Sequence, residues 1–171
     1  MAGNKYVSLT AGGALAEVVS NDASAGAGDA GKLVALDTTG KLDQTMMPVG
    51  LIPDLANFVS FENLAAGDYV NIFLDAAVAK VRKADATTVG KEADGFVLAA
   101  VTAPATVDVY FEGSNTQVTG MTIGATVFLQ TTAGAGGATV PSAAGNVVQK
   151  IGRAISATSV SFEPALPVTL A

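Results

Sequence analysis

The order of hydrophobic and polar positions over residues 61–171 predicts β-strands and little helix. Short runs rich in Val, Ile, Phe, Tyr and Thr are separated by Gly, Pro, Asn or Asp, as in strands joined by tight turns. Val107 and Val109 alternate with Asp108, which places the two valines on one face of a strand. No stretch has a long 3.6-residue period. The predicted strands are Asp68–Leu74, Ala77–Lys83, Gly95–Thr102, Thr106–Glu112, Thr126–Gln130, Val147–Ile155 and Thr158–Glu163.

Many short strands at close spacing favour a β-barrel or a β-sandwich. We therefore predict a mainly β fold with two regions. Residues 61–171 form a domain of short antiparallel strands, which two similar β units would compose if the chain is duplicated. Residues 1–60 form an extended N-terminal arm, a small hairpin and a linker punctuated by prolines.

The pattern in residues 1–60 is looser than in the rest of the chain. Lys5–Thr10 is typical of a short extended segment, whereas Ser20–Gly31 is a loop of small residues that cannot bury enough surface to order itself. The small hairpin is predicted over Lys32–Leu42. Asp at the first position and Gly at the fourth position of Asp37–Gly40 favour a type I turn at its centre.

A weak internal repeat runs through the β region. Gly67–Leu74 resembles Gly124–Leu129, and Ala105–Glu112 resembles Ala157–Glu163. The leading glycines are 57 residues apart and the closing glutamates 51 residues apart, so the second copy is shorter. A duplicated β unit explains this similarity. Chance resemblance between strands of an Ala-, Thr- and Val-rich chain explains it as well.

Composition removes several classes of function. The 171 residues include no Cys and no His, so disulfides, cysteine-ligated metals and histidine-based catalysis are excluded. The net charge is −6 and only 14% of the residues are charged, which argues against nucleic-acid binding, since its affinity comes from Lys and Arg. We expect a structural or interaction protein that is not an enzyme, with no cofactor and no small-molecule substrate.

Targeting and membrane signals are weak. Met1–Val19 has no uninterrupted apolar core of a signal peptide, because Gly12, Gly13 and Glu17 break it. The apolar stretch Gly95–Val107 contains a proline and is too short to span a bilayer. We expect synthesis in a cytoplasm and no membrane partner.

Two motifs invite a ligand hypothesis. Gly26–Gly31 matches the G-x-G-x-x-G nucleotide pattern and nearly matches a P-loop, but Leu33 stands where a hydroxyl should hold magnesium, and no helix is expected to follow. Asp85, Glu92 and Asp94 lie close in sequence without the spacing of a calcium loop. Chance and solvation explain these patterns better, so no nucleotide or metal site is predicted.

Two further stretches point to surfaces. Lys80 and Arg82 share one face of their predicted strand while Val81 points to the other. They either dock on an acidic partner or guard a solvated edge strand. Between Glu112 and Lys150 there is no charged residue, so part of this stretch is buried, packed against another chain, or a flexible glycine-rich tip.

Several segments carry a resemblance to one family. Lys32–Pro48 (KLVALDTTGKLDQTMMP) resembles the segment GKLVxLDxxGKLDxSMMP of structural proteins of tailed bacteriophages. Leu64–Val70 (LAAGDYV) resembles their LxAGDxV strand opening, and Asp94–Ala99 (DGFVLA) resembles their DGFVxA strand. Over residues 30–163 the chain is similar to small head decoration (cement) proteins.

The resemblance implies a virion protein on the outer capsid surface, made in the host cytoplasm. It implies a homotrimer that stabilises the shell by bridging neighbouring copies of the major capsid protein, its partner. Tyr6, Val7 and Leu9 are the expected anchors of an N-terminal arm, and Ala165–Ala171 is a second candidate. Two alternatives stay open. One is a phage tail or head fibre module that binds a host receptor. The other is an enzyme or carbohydrate-binding module.

Overall fold

The computed structural model describes residues 5–47 and 54–171, which belong to two compact units that divide between Ile52 and Pro53. The sequence analysis placed the division after residue 60. The strand Leu55–Ser60 belongs to the second unit, where its backbone pairs with residues 106–110. This short strand directly follows the proline-containing linker, so the sequence analysis assigned it to the linker.

The first unit contains one hairpin, formed by β1 and β2 and joined through a tight turn. β1 is Lys5–Leu9 and β2 is Leu15–Val19, and they are antiparallel. Two short 3-10 helices follow at Ala27–Asp29 and Gln44–Met46. The hairpin predicted over Lys32–Leu42 does not form.

The turn at the centre of that predicted hairpin is nevertheless present. The Gly40 N–H donates to the Asp37 carbonyl at 3.0 Å. The Asp37 carboxylate also accepts from the N–H groups of Thr39 and Lys41, which stabilises the turn by itself. Leu33 and Leu36 beside it stay exposed and pair with no strand of the described residues. The predicted turn is therefore confirmed, whereas the predicted pairing of strands on either side of it is wrong.

The second unit begins with a closed five-stranded barrel in the order β3-β5-β4-β6-β7. β3 and β5 are parallel, and the other neighbours are antiparallel. Valines that alternate along the strands fill the interior, and Val107 and Val109 point inward from the one strand face predicted for them. The prediction of a mainly β fold with a barrel is confirmed. The strands are β3 Leu55–Ser60, β4 Tyr69–Asp75, β5 Val78–Lys83, β6 Gly95–Phe96 and β7 Thr106–Tyr110.

A second sheet of five strands packs on the barrel in the order β10-β9-β12-β13-β8. A separate two-stranded pair, β11 with β14, brings the end of the chain beside residues 147–148. The strands are β8 Gly113–Asn115, β9 Thr126–Leu129, β10 Gly136–Gly137, β11 Val147–Val148, β12 Lys150–Ser156, β13 Ser159–Phe162 and β14 Val168–Thr169.

The barrel and the second sheet share one strand order. β3, β4, β5, β6 and β7 correspond in chain order to β8, β9, β10, β12 and β13, and four of the five strand pairings of the barrel recur in the second sheet. Gly95 and Gly152, 57 residues apart, are also equivalent: an added Cβ would lie 2.7 Å from the Tyr110 carbonyl oxygen and 2.0 Å from that of Ser161. Chance similarity between strand sequences does not explain a shared topology, so these observations favour a duplicated β unit.

The second sheet differs from the barrel in one pairing. β3 and β5 close the barrel, whereas β8 and β10 do not pair, and the start of β4 lies between their ends. The Asn115 side-chain amide donates to the Gly67 carbonyl at 2.8 Å, and the Tyr69 N–H donates to the Gly134 carbonyl at 3.0 Å. A Cβ on Gly136 would lie 2.7 Å from the Tyr69 ring. The glycine-rich stretch is thus packed against the barrel and is not a free tip.

Aromatic rings join the barrel to the second sheet. The Tyr69 and Phe162 ring centroids are 5.9 Å apart, and Phe96 lies 5.4 Å from Phe162. The buried Gln149 amide makes two hydrogen bonds to the main chain of Ala93, at 2.8 and 3.0 Å. These contacts, together with the apolar cluster around them, make the barrel and the second sheet depend on each other for stability.

The hydroxyl of Tyr69 is fully buried and has no hydrogen-bond partner among the described residues. Burial raises the pKa of Tyr69 to about 12 from an ordinary value of 10.0, although the neighbouring Asn115 side chain lowers it in part. The neutral phenol is therefore favoured in the folded state. The stability tied to this group is complete below pH 10 and is lost as the pH rises from 10 to about 12.

Tyr69→Phe is expected to leave stability at pH 7 unchanged or raise it by up to about 1 kcal/mol, because it removes an unpaired buried hydroxyl. The wild-type chain should lose on the order of 2–3 kcal/mol more than the variant between pH 10 and 12. Urea unfolding of both proteins across this range measures the difference. Parallel losses in the two proteins would contradict the assignment to Tyr69.

Candidate binding surfaces

The β1–β2 hairpin has two unequal faces. Strand alternation and the observed register place Val7, Leu9, Leu15 and Val19 on one face, which we call the apolar hairpin face. The same face carries the ion pair between Lys5 and Glu17, and Glu17 lies opposite Val7. Val7 and Leu9 are 65% and 68% exposed. Tyr6 lies on the opposite face, half-buried. The three arm residues named from the sequence are thus on one strand, but only two of them share a surface.

The first unit buries very little. None of its described residues, 5–47, is buried, whereas the second unit has two apolar clusters. Burial of apolar surface is the main driving force of folding, so the first unit gains little from it. Its exposed large apolar side chains are Val7, Leu9, Leu15, Val19, Leu33, Val34, Leu36 and Leu42.

Aspartates that accept local hydrogen bonds order the turns of the first unit. A hydrogen bond from Lys32, at 2.8 Å, and one from the Ala25 N–H lower the pKa of Asp29 to about 2. Hydrogen bonds from main-chain and hydroxyl donors also lower the pKa values of Asp37 and Asp43. The Asp29 cap is present at neutral pH and is lost as the pH falls from about 4 toward 2.

The nucleotide-like motif at Gly26–Gly31 takes a different form from a phosphate loop. Its centre is the three-residue 3-10 helix Ala27–Asp29. Lys32, which a P-loop would present to phosphate, donates instead to the Asp29 carboxylate. The structure therefore places none of the strand-loop-helix context that phosphate binding requires around this motif.

Lys80 lies on the outer face of β5, as predicted, while Val81 is buried on the inner face. Its ammonium group is 2.7 Å from the Asp75 carboxylate and 5.9 Å from the centre of the Phe61 ring. β5 pairs with both β3 and β4, so the alternative of a solvated edge strand is wrong.

Arg82 shares that outer face, and its guanidinium group is already engaged. It donates to the Asn71 side-chain oxygen at 3.0 Å and to the Gly90 carbonyl at 2.7 Å, and it stacks 4.4 Å from the centre of the Phe73 ring. These contacts hold the neighbouring strands and the 84–93 connection together. Both basic side chains therefore already interact with other residues of the barrel.

The carboxylates of Asp85, Glu92 and Asp94 each have their own partners. Asp85 is 3.2 Å from the Lys91 ammonium, and Asp94 accepts from the Ile72 N–H at 2.7 Å. Desolvation raises the pKa of Asp94. Over residues 5–47 and 54–171, no group of acidic side chains is arranged to hold a metal ion.

The C-terminal tail named as a second anchor lies against the second sheet. Val168 and Thr169 pair with β11, and the Ala165 N–H donates to the Lys150 carbonyl at 2.8 Å. Leu166 points away from the protein and is 92% exposed. The tail is thus held by its main chain and offers two exposed apolar side chains, Leu166 and Val168, to a partner.

Sequence reasoning missed a groove beside β7. The groove has a volume of about 250 Å³ and lies between residues 98–101 and residues 106–110. Leu98, Val101 and Tyr110 line it with apolar surface, and Asp108 stands at its rim. No sequence pattern marks it, because it depends on where the chain leaves the sheet.

No protein-family model matches the chain, and no curated protein is significantly similar to it. Among the helices of the described residues, none has the length and apolar character needed to span a bilayer.

Proposed function

We propose that the chain is a structural protein of a tailed-bacteriophage virion, which binds the outer surface of the capsid and stabilises it by bridging major capsid subunits. One observation carries the proposal: the first unit exposes eight large apolar side chains and buries none of its described residues. A segment of this kind gains its missing apolar burial when a partner covers it. The phage-like segments of the sequence supply the identity of the partner.

The two units divide the work of binding. The second unit is the packed β body, and the first unit is the docking segment. Both strands of the β1–β2 hairpin have an outer edge that pairs with no strand of the described residues. An exposed sheet edge of the capsid can extend this hairpin through main-chain hydrogen bonds, while Val7 and Leu9 fill apolar pockets.

If the protein is a homotrimer, each hairpin needs to make only a weak contact with the capsid. Three linked hairpins that engage neighbouring capsid subunits raise the overall affinity without any new type of contact. Fixing adjacent subunits to one another then opposes the outward pressure of packaged DNA. On this proposal the protein acts through its surfaces, has no catalytic role and resides on the capsid after synthesis in the host cytoplasm.

Copy number in the purified particle tests the proposal. Quantitative mass spectrometry of the phage that encodes the chain should find a ratio to the major capsid protein near one-to-one. A ratio of a few copies per particle would overturn capsid decoration in favour of a tail or fibre module. Absence from the particle would overturn the virion proposal altogether.

A further inference from the structure

One edge of β7 has main-chain groups without partners. The Ser60 N–H donates to the Ala105 carbonyl, and the Phe111 N–H donates to the Asp54 carbonyl. The main-chain N–H and C=O groups of the odd-numbered residues of β7 therefore point toward β3. The N–H and C=O groups of Thr106 and Asp108 therefore point the other way, toward the groove. Among the described residues, neither of them has a main-chain partner there.

The groove exists because the chain turns away from β7 directly after β6. β6 and β7 pair only at Phe96 and Tyr110. The following segment turns to the opposite side, where Val101 and Leu64 exchange two main-chain hydrogen bonds of 2.9 and 3.0 Å. The space on the near side of β7 stays open, with Leu98 and Val101 as its far wall.

The second sheet shows what fills the equivalent space. With the offsets of the internal repeat, the pair Phe96–Tyr110 corresponds to the pair Arg153–Ser161. From that point β12 continues along β13 through Ala154 and Ser156, whereas the barrel has no equivalent pairing. The slot beside β7 is thus the position of a strand that one repeat supplies and the other lacks.

We propose that this slot receives an extended strand of a partner protein, which hydrogen-bonds to β7 and places a basic side chain beside Asp108. Asp108 is exposed, accepts one hydrogen bond from the Asn57 side-chain amide on β3, and forms no ion pair with the described residues. The part of β12 that fills the equivalent place in the second sheet is Ala154–Ser156, an extended segment that pairs with β13. The charge of Asp108 and the unpaired main-chain groups therefore select the same occupant: an alternating apolar strand with a cationic residue.

The peptide KIGRAIS, the sequence of β12, is a suitable probe because it already pairs with the equivalent strand. In the free full-length chain, the amide protons of Thr106 and Asp108 should exchange with solvent much faster than those of Val107 and Val109. Adding the peptide at millimolar concentration should shift the Thr106 and Asp108 amide resonances in a saturable manner and slow their exchange. Protected amides in the free chain, or no shift at these two residues, would overturn the proposal.

Matched variants separate strand pairing from charge alone. The peptide KIGPAIS lacks one main-chain donor and resists the extended pairing, so it should not shift these resonances. Asp108→Lys in the protein should weaken binding of KIGRAIS by about fivefold, since an exposed ion pair contributes up to about 1 kcal/mol. Equal binding of both peptides would show a nonspecific charge effect and count against the slot. Shifts that depend on protein concentration without peptide would identify a second copy as the occupant and overturn the partner assignment.

This inference does not rest on the virion proposal. The peptide titration uses the chain alone, and its outcome is independent of copy number in a particle. A chain that binds the peptide but is absent from the virion would retain the slot and lose the proposed function. The reverse result would retain the proposed function and remove the slot.

Discussion

Gly152→Ala is expected to destabilise the second unit by about 3–4 kcal/mol, because overpacking against rigid backbone is among the costliest core changes. An added Cβ would lie 2.0 Å from the Ser161 carbonyl oxygen and 3.0 Å from its carbonyl carbon. Both atoms belong to the backbone of β13, so no side-chain rotation relieves the contact. Relief requires β12 and β13 to separate. Urea unfolding followed by circular dichroism measures the loss.

Gly145→Ala is the matched control for this prediction. Gly145 has φ +81°, which disfavours alanine, but an added Cβ meets no atom within 4 Å. Its expected cost is about 1 kcal/mol, from backbone conformation alone. Similar losses for the two variants would show that contact with β13 is not what makes Gly152 necessary.

The strands predicted from the sequence were those with a local signal. Alternation placed Val107 and Val109 on one strand face, and the structure shows that this face lines the barrel interior. The runs at Tyr69–Asp75 and Val78–Lys83 carried enough β-branched and aromatic residues to be recognised. The weak repeat was visible as well, but sequence alone could not separate duplication from chance. The shared strand order supplied the missing argument.

Other strands had no local signal to find. β10 consists of Gly136 and Gly137, which have no side chains to alternate. They form a strand because they pair with β9, and close packing on Tyr69 leaves no room for a Cβ at Gly136. The bonds between Gln149 and Ala93 join residues 56 positions apart. Tertiary context of this kind overrides local propensity and cannot be read from spacing.

The candidate surfaces also include features that the sequence predicted and features that it could not predict. Alternation correctly placed Lys80 with Arg82 on one face. The arm anchors were named without regard to faces, and Tyr6 lies on the face opposite Val7 and Leu9. Alternation could not show that Arg82 is held by Asn71, since that bond depends on the register of β4 against β5. The groove beside β7 depends on the point where two paired strands diverge, which no sequence pattern specifies.

If the chain decorates a capsid as proposed, the double substitution Val7→Asp and Leu9→Asp is expected to lower its binding to that capsid by at least 100-fold. Burying a valine or leucine side chain contributes about 1.5–3 kcal/mol, so losing two such contacts removes roughly 3–6 kcal/mol. Both side chains are mostly exposed in the free protein, so the substitutions remove no core packing. Sedimentation of the purified variant with capsids that lack the protein measures the binding.

Ser8→Asp is the control, because it adds a carboxylate to the same strand on the opposite face. It should reduce binding far less than the double variant. The unfolding transition of the second unit should be the same in the double variant and the wild type, since all apolar residues of its two clusters lie outside the first unit. Full retention of binding by the double variant would remove the apolar hairpin face from the proposal. Equal loss in both variants would instead assign the effect to added negative charge near the capsid, and a Val7→Ser and Leu9→Ser pair would then decide between charge and apolar contact.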